Sequence, residues 1–279
     1  MVDLEKGKGS DRQFRRRPLI LVTNDDGIMS PGIRELTRAL VKLGDVVVIA
    51  PAGEQSAVAH SITLDDPIRA KSWRFGEDLD HVRALAIDGT PCDCIKLALH
   101  QLLHRLPDLV VSGINRGSNT AINVIYSGTI SAATESSIYG IDSIAVSLDS
   151  KEPDADYRPA AKYAGMIAQK VLRSHLPRGV LLSVNVPMIP EDEIKGIVVT
   201  RQARSRWQEG FLERIDPANR AYYWYRGTLN ILDEGADTDI HVLENGYVSI
   251  TPLQHDRTAY GCLEVLSTWS WKDGQLSSD

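Results

Sequence analysis

Two continuous apolar runs frame the first structured part of the chain. Residues 19–22 and 46–50 lack polar interruptions, which is typical of strands covered on both faces of a sheet. Between them, Ser30-Pro31 is typical of a helix start, and Gly44 of a helix end. Apolar residues recur at helical spacing at Ile33, Leu36, Leu40 and Leu43. This order predicts a right-handed β-α-β unit with parallel strands.

The same alternation continues downstream. We predict a helix from Thr90-Pro91 to about Arg105, and another over residues 127–139 that stops at Gly140. A long helix is predicted at about 155–174. Apolar strands are predicted at 109–111, 143–148 and 180–186. Alternating strands and helices predict an α/β fold with a doubly wound, mostly parallel sheet.

Beyond residue 200 the pattern changes to strands and hairpins. Two β-like runs, Tyr222-Tyr223-Trp224-Tyr225-Arg226 and Thr228-Leu229-Asn230-Ile231-Leu232, flank Gly227, and Tyr247-Val248-Ser249-Ile250 follows. We therefore divide the chain into a catalytic core at 18–200 and a hairpin-rich extension at 201–279. The aromatic cluster could stack nucleobases or pack against another subunit. Because its setting is not basic, we favour packing between subunits, and so a role in oligomerisation.

Composition narrows the classes of partner. The 279 residues carry a formal net charge of -6, which argues against a surface that binds polymeric nucleic acid. The three cysteines lack zinc-site spacing, and their odd number fits a reducing compartment. We see neither a membrane-spanning apolar stretch nor a signal peptide. The sequence therefore predicts a cytoplasmic protein without a membrane partner.

The N-terminal residues 1–17 mix basic and acidic side chains and contain almost no apolar ones. A segment of this composition cannot bury enough apolar surface to fold, so we predict a disordered charged tail. An arm that contacts nucleic acid is the alternative.

Candidate chemistry begins directly after the first predicted strand, at Thr23-Asn24-Asp25-Asp26-Gly27. In an open α/β sheet ligands bind outside the carboxyl ends of the strands, and paired carboxylates there suit a hard divalent cation. Ser56 follows the second strand, and Asn115 follows the strand at 109–111. All four residues are also ordinary turn residues, and only their shared edge of the sheet favours a site. We predict one divalent metal ion, Mg²⁺ or Mn²⁺, on Asp25, Asp26, Ser56 and Asn115.

A second signal lies at Tyr126-Ser127-Gly128-Thr129, just before a predicted helix. Free backbone N–H groups and the positive end of the helix dipole form an anion site there, and phosphate is the natural guest. The alternative is an ordinary N-cap by Ser127 or Thr129. The local residues alone favour the N-cap, and metal ligands beside this helix start would instead favour phosphate binding by Ser127, Gly128 and Thr129, with Asn24 and Gly27 of the acidic turn as further candidates.

Other active-site signatures are absent from the sequence. His100 and His104 have the spacing of a zinc-binding pair, but Gln101 replaces the glutamate of His-Glu-x-x-His, and a solvated helix face is the preferred interpretation. Serine-hydrolase elbows, Walker loops and dinucleotide fingerprints do not occur.

Taken together, several segments resemble the survival protein E (SurE) nucleotidases. The matches run in order through the first half of the chain. They are Leu-Val-Thr-Asn-Asp-Asp-Gly at 21–27, Ser30-Pro31-Gly32-Ile33, Ala50-Pro51 with Ser56, Asp88-Gly89-Thr90-Pro91-Cys92-Asp93-Cys94, Val111-Ser112-Gly113-Ile114-Asn115 with Gly117 and Asn119, and Tyr126-Ser127-Gly128-Thr129.

The resemblance implies a Rossmann-like core and a metal-dependent phosphomonoesterase for nucleoside 5′- and 3′-monophosphates, in some members also for short polyphosphate. It implies a homodimer or homotetramer with exchanged C-terminal elements. Asp25, Asp26, Ser56 and Asn115 match the family's metal-site positions, and residues 127–129 match its phosphate-contacting stretch. Either aspartate could be the base.

One departure and two rival functions remain open. Ala57-Val58-Ala59-His60 replaces a more serine-rich run, which leaves the base preference undefined. The first rival is a nucleotide- or RNA-binding module without turnover that stacks bases on Tyr222, Trp224 and Tyr225. The second is a phosphatase for a non-nucleotide ester.

Overall fold

The computed structural model of the chain describes residues 16–233 and 235–269. Residues 1–15 of the predicted tail lie outside the described residues. The strands are β1 (Leu19–Thr23), β2 (Asp45–Pro51), β3 (Ala70–Trp73), β4 (Arg83–Ile87), β5 (Leu109–Arg116), β6 (Ser143–Asp149), β7 (Val180–Pro187), β8 (Ile197–Val199), β9 (Ser205–Ile215), β10 (Ala221–Ile231) and β11 (Val248–Gln254). The α-helices are α1 (Pro31–Leu40), α2 (Pro91–Leu97), α3 (Gly128–Ile138), α4 (Arg158–Ser174), α5 (Asp239–Glu244) and α6 (Tyr260–Ser267).

Nine strands form one sheet in the order β3-β4-β2-β1-β5-β6-β7-β11-β8. The six strands from β4 to β7 in this order are parallel. After β1 the chain builds outward through β2 and β4, and then returns to place β5 on the other side of β1. The strand order therefore reverses between β1 and β5, which is where open α/β sheets form their ligand crevice. The predicted α/β, doubly wound fold is confirmed.

Helices cover both faces of this sheet. Ile20 and Val22 of β1 belong to the core shared with α1 and α4, whereas Leu21 belongs to the core shared with α2 and α3. Successive strand residues point to opposite faces, so a strand covered on both sides needs an unbroken apolar run. This explains why the first strand is apolar at every position.

Two elements differ in length from their predictions. The helix predicted to reach Arg105 ends at Leu97 and continues as one π-helical turn, closed by a 2.9 Å bond from Leu103 N to Ala98 O. This wider turn lets both Leu102 and Leu103 pack against the core. Strand β5 instead extends beyond its apolar part to Arg116, because the polar residues after Ser112 still pair with β6.

The C-terminal part also differs from the predicted boundary near residue 200. Strand β11 pairs antiparallel with β7, and β8 pairs with β11, so residues 248–254 complete the core sheet. The hairpin itself is β9 and β10, a separate two-stranded sheet. Gly227 lies within β10, while the turn is at residues 216–220, where Asp216 Oδ1 accepts hydrogen bonds from two backbone N–H groups. None of the helices formed by the described residues is long and apolar enough to cross a bilayer.

Candidate active site

The acidic turn follows the first strand, as predicted, and lies where the strand order reverses. Asp25 and Asp26 follow β1, and Thr23 of β1 pairs with Ser112 of β5. Asn115 lies three residues further along β5, where the register with β6 is irregular. Gly113 permits this path because a Cβ there would lie 2.3 Å from the Val146 carbonyl oxygen. The two strands thus bring both aspartates and Asn115 to one edge of the sheet.

Asp25 is buried and bound to the start of α3. The Thr129 hydroxyl donates to Asp25 Oδ1, and Thr129 N donates to Oδ2 at 3.0 Å. Burial raises the pKa of Asp25 above its ordinary value, and the hydrogen bonds from Thr129 only partly oppose this. A Cβ on Gly128 would lie 2.9 Å from Asp25 Cβ, so only glycine allows this approach.

Asp26 is partly open to solvent. Its Oδ2 accepts a 3.0 Å hydrogen bond from Arg116 N, the residue after Asn115. Burial, and then the charge of Asp25, raise the pKa of Asp26 to about 6. Asp26 lines a cavity of about 260 Å³ together with Ser30, Glu54, Arg116, Tyr157 and three neighbouring residues.

Neither carboxylate forms an ion pair with a cationic side chain of the described residues, although the charge of Arg116 acts on Asp26. No ion pair within residues 16–233 and 235–269 includes Asp25 or Asp26. The buried Asn24 Oδ1 beside them also lacks a hydrogen-bond partner there. Buried carboxylates normally pair with a cation or bind a metal. Carboxylate, hydroxyl and amide oxygens are the donors that a hard divalent cation prefers, so the chemistry of Asp25, Asp26, Ser56 and Asn115 fits the predicted ion.

The loop after β2 brings Ser56 towards this turn. Gln55 N donates to the Asp25 carbonyl oxygen at 2.7 Å. Gly27, with φ of +89°, lies so close to the loop that a Cβ would be 2.9 Å from the Gly53 carbonyl carbon. Ser56 itself is exposed, and its hydroxyl donates to Glu54 Oε1 at 2.6 Å. Sequence reasoning did not single out Glu54, which follows a strand end like the other acidic candidates.

Asn115 and Asn24 each use the side-chain amide nitrogen to hold the backbone. Asn115 Nδ2 donates to the Gly117 carbonyl oxygen at 2.6 Å, which leaves its oxygen for another partner. Asn24 Nδ2 donates to the Gly27 carbonyl oxygen and to Ser30 Oγ, both at 2.9 Å. Asn24 therefore holds the acidic turn against the start of α1.

The predicted phosphate-binding stretch is turned towards Asp25. Ser127 Oγ accepts a 3.1 Å hydrogen bond from Ile130 N, which is the N-cap alternative. Backbone hydrogen bonds from Gly128 and Thr129 both act on the Asp25 carboxylate. The Asp25 carboxylate is thus the anion at the start of α3, and its hydrogen bonds hold this helix against the acidic turn.

A second polar cluster, which the sequence did not predict, lies behind the loop of Ser56. The buried carboxylate of Glu135 bonds to His60 Nε2 at 2.7 Å and to Lys96 Nζ at 2.6 Å. Cys92 adds a sulfur, and the ligand atoms of His60, Cys92 and Glu135 lie within 4.8 Å of one another. However, burial raises the pKa of Cys92 to about 12, and Lys96 already neutralises Glu135. These contacts describe a hydrogen-bonded network around the Glu135 carboxylate, with Lys96 as its cation. The three bonded residues are too far apart in sequence to form a motif.

The alternative zinc pair does not form. His100 Nε2 is 3.0 Å from the Tyr139 hydroxyl, and His104 is exposed.

Comparisons with known proteins agree with the resemblance. Residues 20–209 match the family model described as Survival protein SurE. Among curated relatives, a protein of Christiangramia forsetii named 5′-nucleotidase SurE is 49% identical over 259 residues, which cover 93% of this chain and 99% of the relative. A relative of the same name from Flavobacterium johnsoniae is 47% identical, over 91% of this chain and 97% of its own.

A solved structure is similar as well. The crystal structure of the SurE protein from Aquifex aeolicus superposes with a TM-score of 0.76 at 40% identity, and the match covers 90% of this chain and 98% of that one. The family model covers most of the chain, and the relatives align along nearly their full length. On this evidence the chain belongs to the SurE family.

Proposed function

We propose that this protein is a metal-dependent 5′-nucleotidase that hydrolyses nucleoside 5′-monophosphates to nucleoside and phosphate. Nucleoside 3′-monophosphates and short polyphosphate are further substrates in this proposal. The observation that carries it is the adjacent pair of a buried and a half-buried carboxylate, neither of them in an ion pair, at the strand-order reversal. Relatives that align over nearly the whole chain are named 5′-nucleotidases, which supports the same activity.

In this proposal Asp25, Asp26, Ser56 and Asn115 hold one Mg²⁺ or Mn²⁺ ion. When bound, such an ion neutralises phosphoryl charge and lowers the pKa of a water molecule. The same ion would compensate the two aspartates, whose burial otherwise disfavours their charged forms.

The chain's own residues have separate tasks. Asp25 uses both oxygens to hold Thr129, so it fixes the start of α3. Asp26 uses only Oδ2, towards Arg116 N, and lines the open cavity. We therefore assign Asp26 Oδ1 as the atom that takes the proton from the attacking water. Ser127, Gly128, Thr129, Asn24 and Gly27 form the surroundings in which phosphate is oriented.

Phosphate release from adenosine and guanosine 5′-monophosphates, with Mn²⁺, with Mg²⁺ and with EDTA, tests this function. We expect release that depends on metal, and Asp26→Asn should retain less than about a tenth of the wild-type kcat because it removes the base. p-Nitrophenyl phosphate and sugar phosphates distinguish a phosphatase for non-nucleotide esters. Tight nucleotide binding with no release under any metal would favour the binding module without turnover.

We further propose a homo-oligomer, a dimer or tetramer, that exchanges C-terminal elements. Helix α6 is exposed along its length, including Tyr260 at 63%, Leu263 at 53% and Val265 at 58% exposure. The hairpin exposes Trp224 and Tyr225 as well. Exposed apolar surface of this extent is typical of protein interfaces. We also propose a cytoplasmic location, since all three cysteines are free thiols.

A further inference from the structure

The loop that carries Ser56 has a backbone that other contacts must hold in place. Ala57 and Ala59 have φ of +56° and +51°, a left-handed conformation that residues with a Cβ rarely adopt. Such backbone persists only where the surrounding structure fixes it. Ser56 is exposed, so its own packing does not fix the loop.

Three of the bonds that attach this loop to the rest of the site lie close to Ser56 in the chain. Gln55 N donates to the Asp25 carbonyl oxygen at 2.7 Å, on the N-terminal side of Ser56. Ala59 N donates to the Tyr126 carbonyl oxygen at 3.1 Å, on the C-terminal side. His60 Nε2 then lies 2.7 Å from Glu135 Oε2, and this is the one of the three that a loop side chain makes. The Thr90 hydroxyl also donates to the carbonyl oxygen of the next residue, Ser61, at 2.8 Å.

Glu135 is a fixed support for His60. Its side chain is 5% exposed, and its second oxygen accepts a 2.6 Å bond from Lys96 Nζ of α2. Burial raises the pKa of Glu135, but the hydrogen bonds from His60 and Lys96 outweigh it and hold the pKa below its ordinary value. The carboxylate is therefore charged. It belongs to α3, whose first residues hold Asp25.

We propose that His60 is a positioning residue: its bond to Glu135 fixes the loop so that the Ser56 hydroxyl is held at the metal site. This inference rests on one part of the proposed function, namely that Ser56 is a metal ligand. His60 acts through Ser56 and contacts neither Asp25 nor Asp26. Loss of a direct hydrogen-bond partner of a metal ligand typically weakens metal affinity about 10- to 100-fold, and we expect the lower value for His60 because it acts through the loop backbone.

Calorimetric titration of Mn²⁺ into the purified full-length chain tests this without turnover. His60→Ala should weaken Mn²⁺ binding about tenfold. His60→Gln should restore most of the affinity, because its amide nitrogen can donate to Glu135 as imidazole Nε2 does. His104→Ala, at an exposed histidine outside the cluster, is the matched control and should bind as wild type does. Wild-type affinity in His60→Ala, with the fold intact, would overturn the proposal.

A double-mutant cycle separates positioning from general damage. Ser56→Ala alone should weaken Mn²⁺ binding, and adding His60→Ala to it should cause little further loss, because His60 acts through the hydroxyl already removed. Additive losses would show that His60 acts by another route. Where His60→Ala does not fold, the same cycle with His60→Gln and His60→Asn keeps the test open, since Asn is too short to reach Glu135.

Turnover supplies an independent readout. With adenosine 5′-monophosphate, His60→Ala should need about tenfold more Mn²⁺ for half-maximal rate, while kcat at saturating Mn²⁺ stays within about twofold of wild type. A loss of kcat that saturating Mn²⁺ does not restore would overturn the positioning role. If wild type binds Mn²⁺ but releases no phosphate, the nucleotidase function fails, while the calorimetric test of His60 still stands.

Discussion

At the scale of single residues, Asp26 links metal binding to pH. Its pKa of about 6, caused by burial and then by the charge of Asp25, means that the metal-free site holds a proton below that pH. A cation must displace this proton, so we expect Mn²⁺ affinity to fall as pH drops below about 6, by about tenfold per pH unit for each displaced proton. Calorimetry between pH 5 and 8 measures this. The Mn²⁺ affinity of Asp26→Asn should no longer show the part of the pH dependence that Asp26 causes. A wild-type Mn²⁺ affinity that is constant from pH 5 to 7 would contradict Asp26 as a metal ligand that titrates near pH 6.

The same carboxylate is expected to reduce the stability of the metal-free protein. Its folded pKa lies above the ordinary 3.8, so the stability that the protonated form contributes below pH 4 is lost as pH rises through about 6. The difference between the two pKa values corresponds to a loss of at most roughly 3 kcal/mol in the free energy of unfolding. Asp26→Asn should therefore raise the free energy of unfolding at pH 8 in EDTA by up to about 3 kcal/mol, and have little effect at pH 4.

Urea denaturation at both pH values checks this prediction. Mn²⁺ should stabilise the wild-type protein at pH 8 more than it stabilises the variant, because the ion compensates the negative charge of Asp26, which the variant lacks. A destabilised Asp26→Asn variant at pH 8 would mean that the hydrogen bond from Arg116 N outweighs the burial of the charge.

At the scale of elements, the start of α3 has to lie against Asp25. A Cβ added to Gly128 would be 2.9 Å from Asp25 Cβ and 3.2 Å from Pro91 Cγ, so Gly128→Ala must displace the helix start or the carboxylate. Small displacements of catalytic groups can cost about 100-fold in rate, and we expect kcat/KM to fall by one to two orders of magnitude.

Gly165→Ala is the matched control for this substitution. Gly165 also lies in a helix, but its added Cβ would meet Ala39 Cβ at an ordinary 3.7 Å. Because alanine favours helix more than glycine does, this variant should keep its activity and gain up to about 1 kcal/mol of stability. Steady-state kinetics measure kcat/KM of Gly128→Ala and Gly165→Ala, and thermal unfolding measures the stability of both variants. Equal activity in both would contradict a close fit between α3 and the acidic turn.

Local sequence patterns identified the helices and strands correctly more often than they located the residues at which these elements end. The apolar run at 109–111 identified β5, but the strand continues to Arg116 through polar residues that pairing with β6 retains. The two β-like runs that flank Gly227 are one continuous strand, β10, where an added Cβ at Gly227 would meet Trp207 Cε3 at 3.1 Å. In both cases pairing with a neighbouring strand determines where the strand ends, and a local sequence pattern does not contain information about that pairing.

At the scale of the whole molecule, topology explains which parts of the site were visible in the sequence. Asp25, Asp26 and Asn115 could be grouped because parallel strands end at one edge of a sheet. The network of His60, Lys96 and Glu135 could not, since a loop and two helices bring its members together from distant positions. Strand β11 was likewise assigned to the extension, because nothing local indicates that it pairs with β7.

Assembly is the remaining prediction at this scale. Leu263 and Val265 of α6 are exposed apolar side chains, and a mostly apolar groove of about 450 Å³ lies along α4 and the sheet edge. We expect α6 of one chain to bind this groove on another copy, since it is lined by Met166, Val171, Ile197, Val199, Ile250 and Pro252 among others.

Light scattering after size exclusion tests the arrangement. Leu263→Asp with Val265→Asp should shift the protein from a dimer or tetramer towards single chains, because burying a charge in an apolar interface is costly. Glu264→Gln, on the same helix, removes a charge and should leave the assembly intact. Val199→Asp should dissociate the oligomer from the groove side, since Val199 is 72% exposed in a single chain and lies in that groove. If the helix variant dissociates the protein while Val199→Asp does not, α6 binds elsewhere on its partner, and the hairpin of β9 and β10 becomes the surface to test.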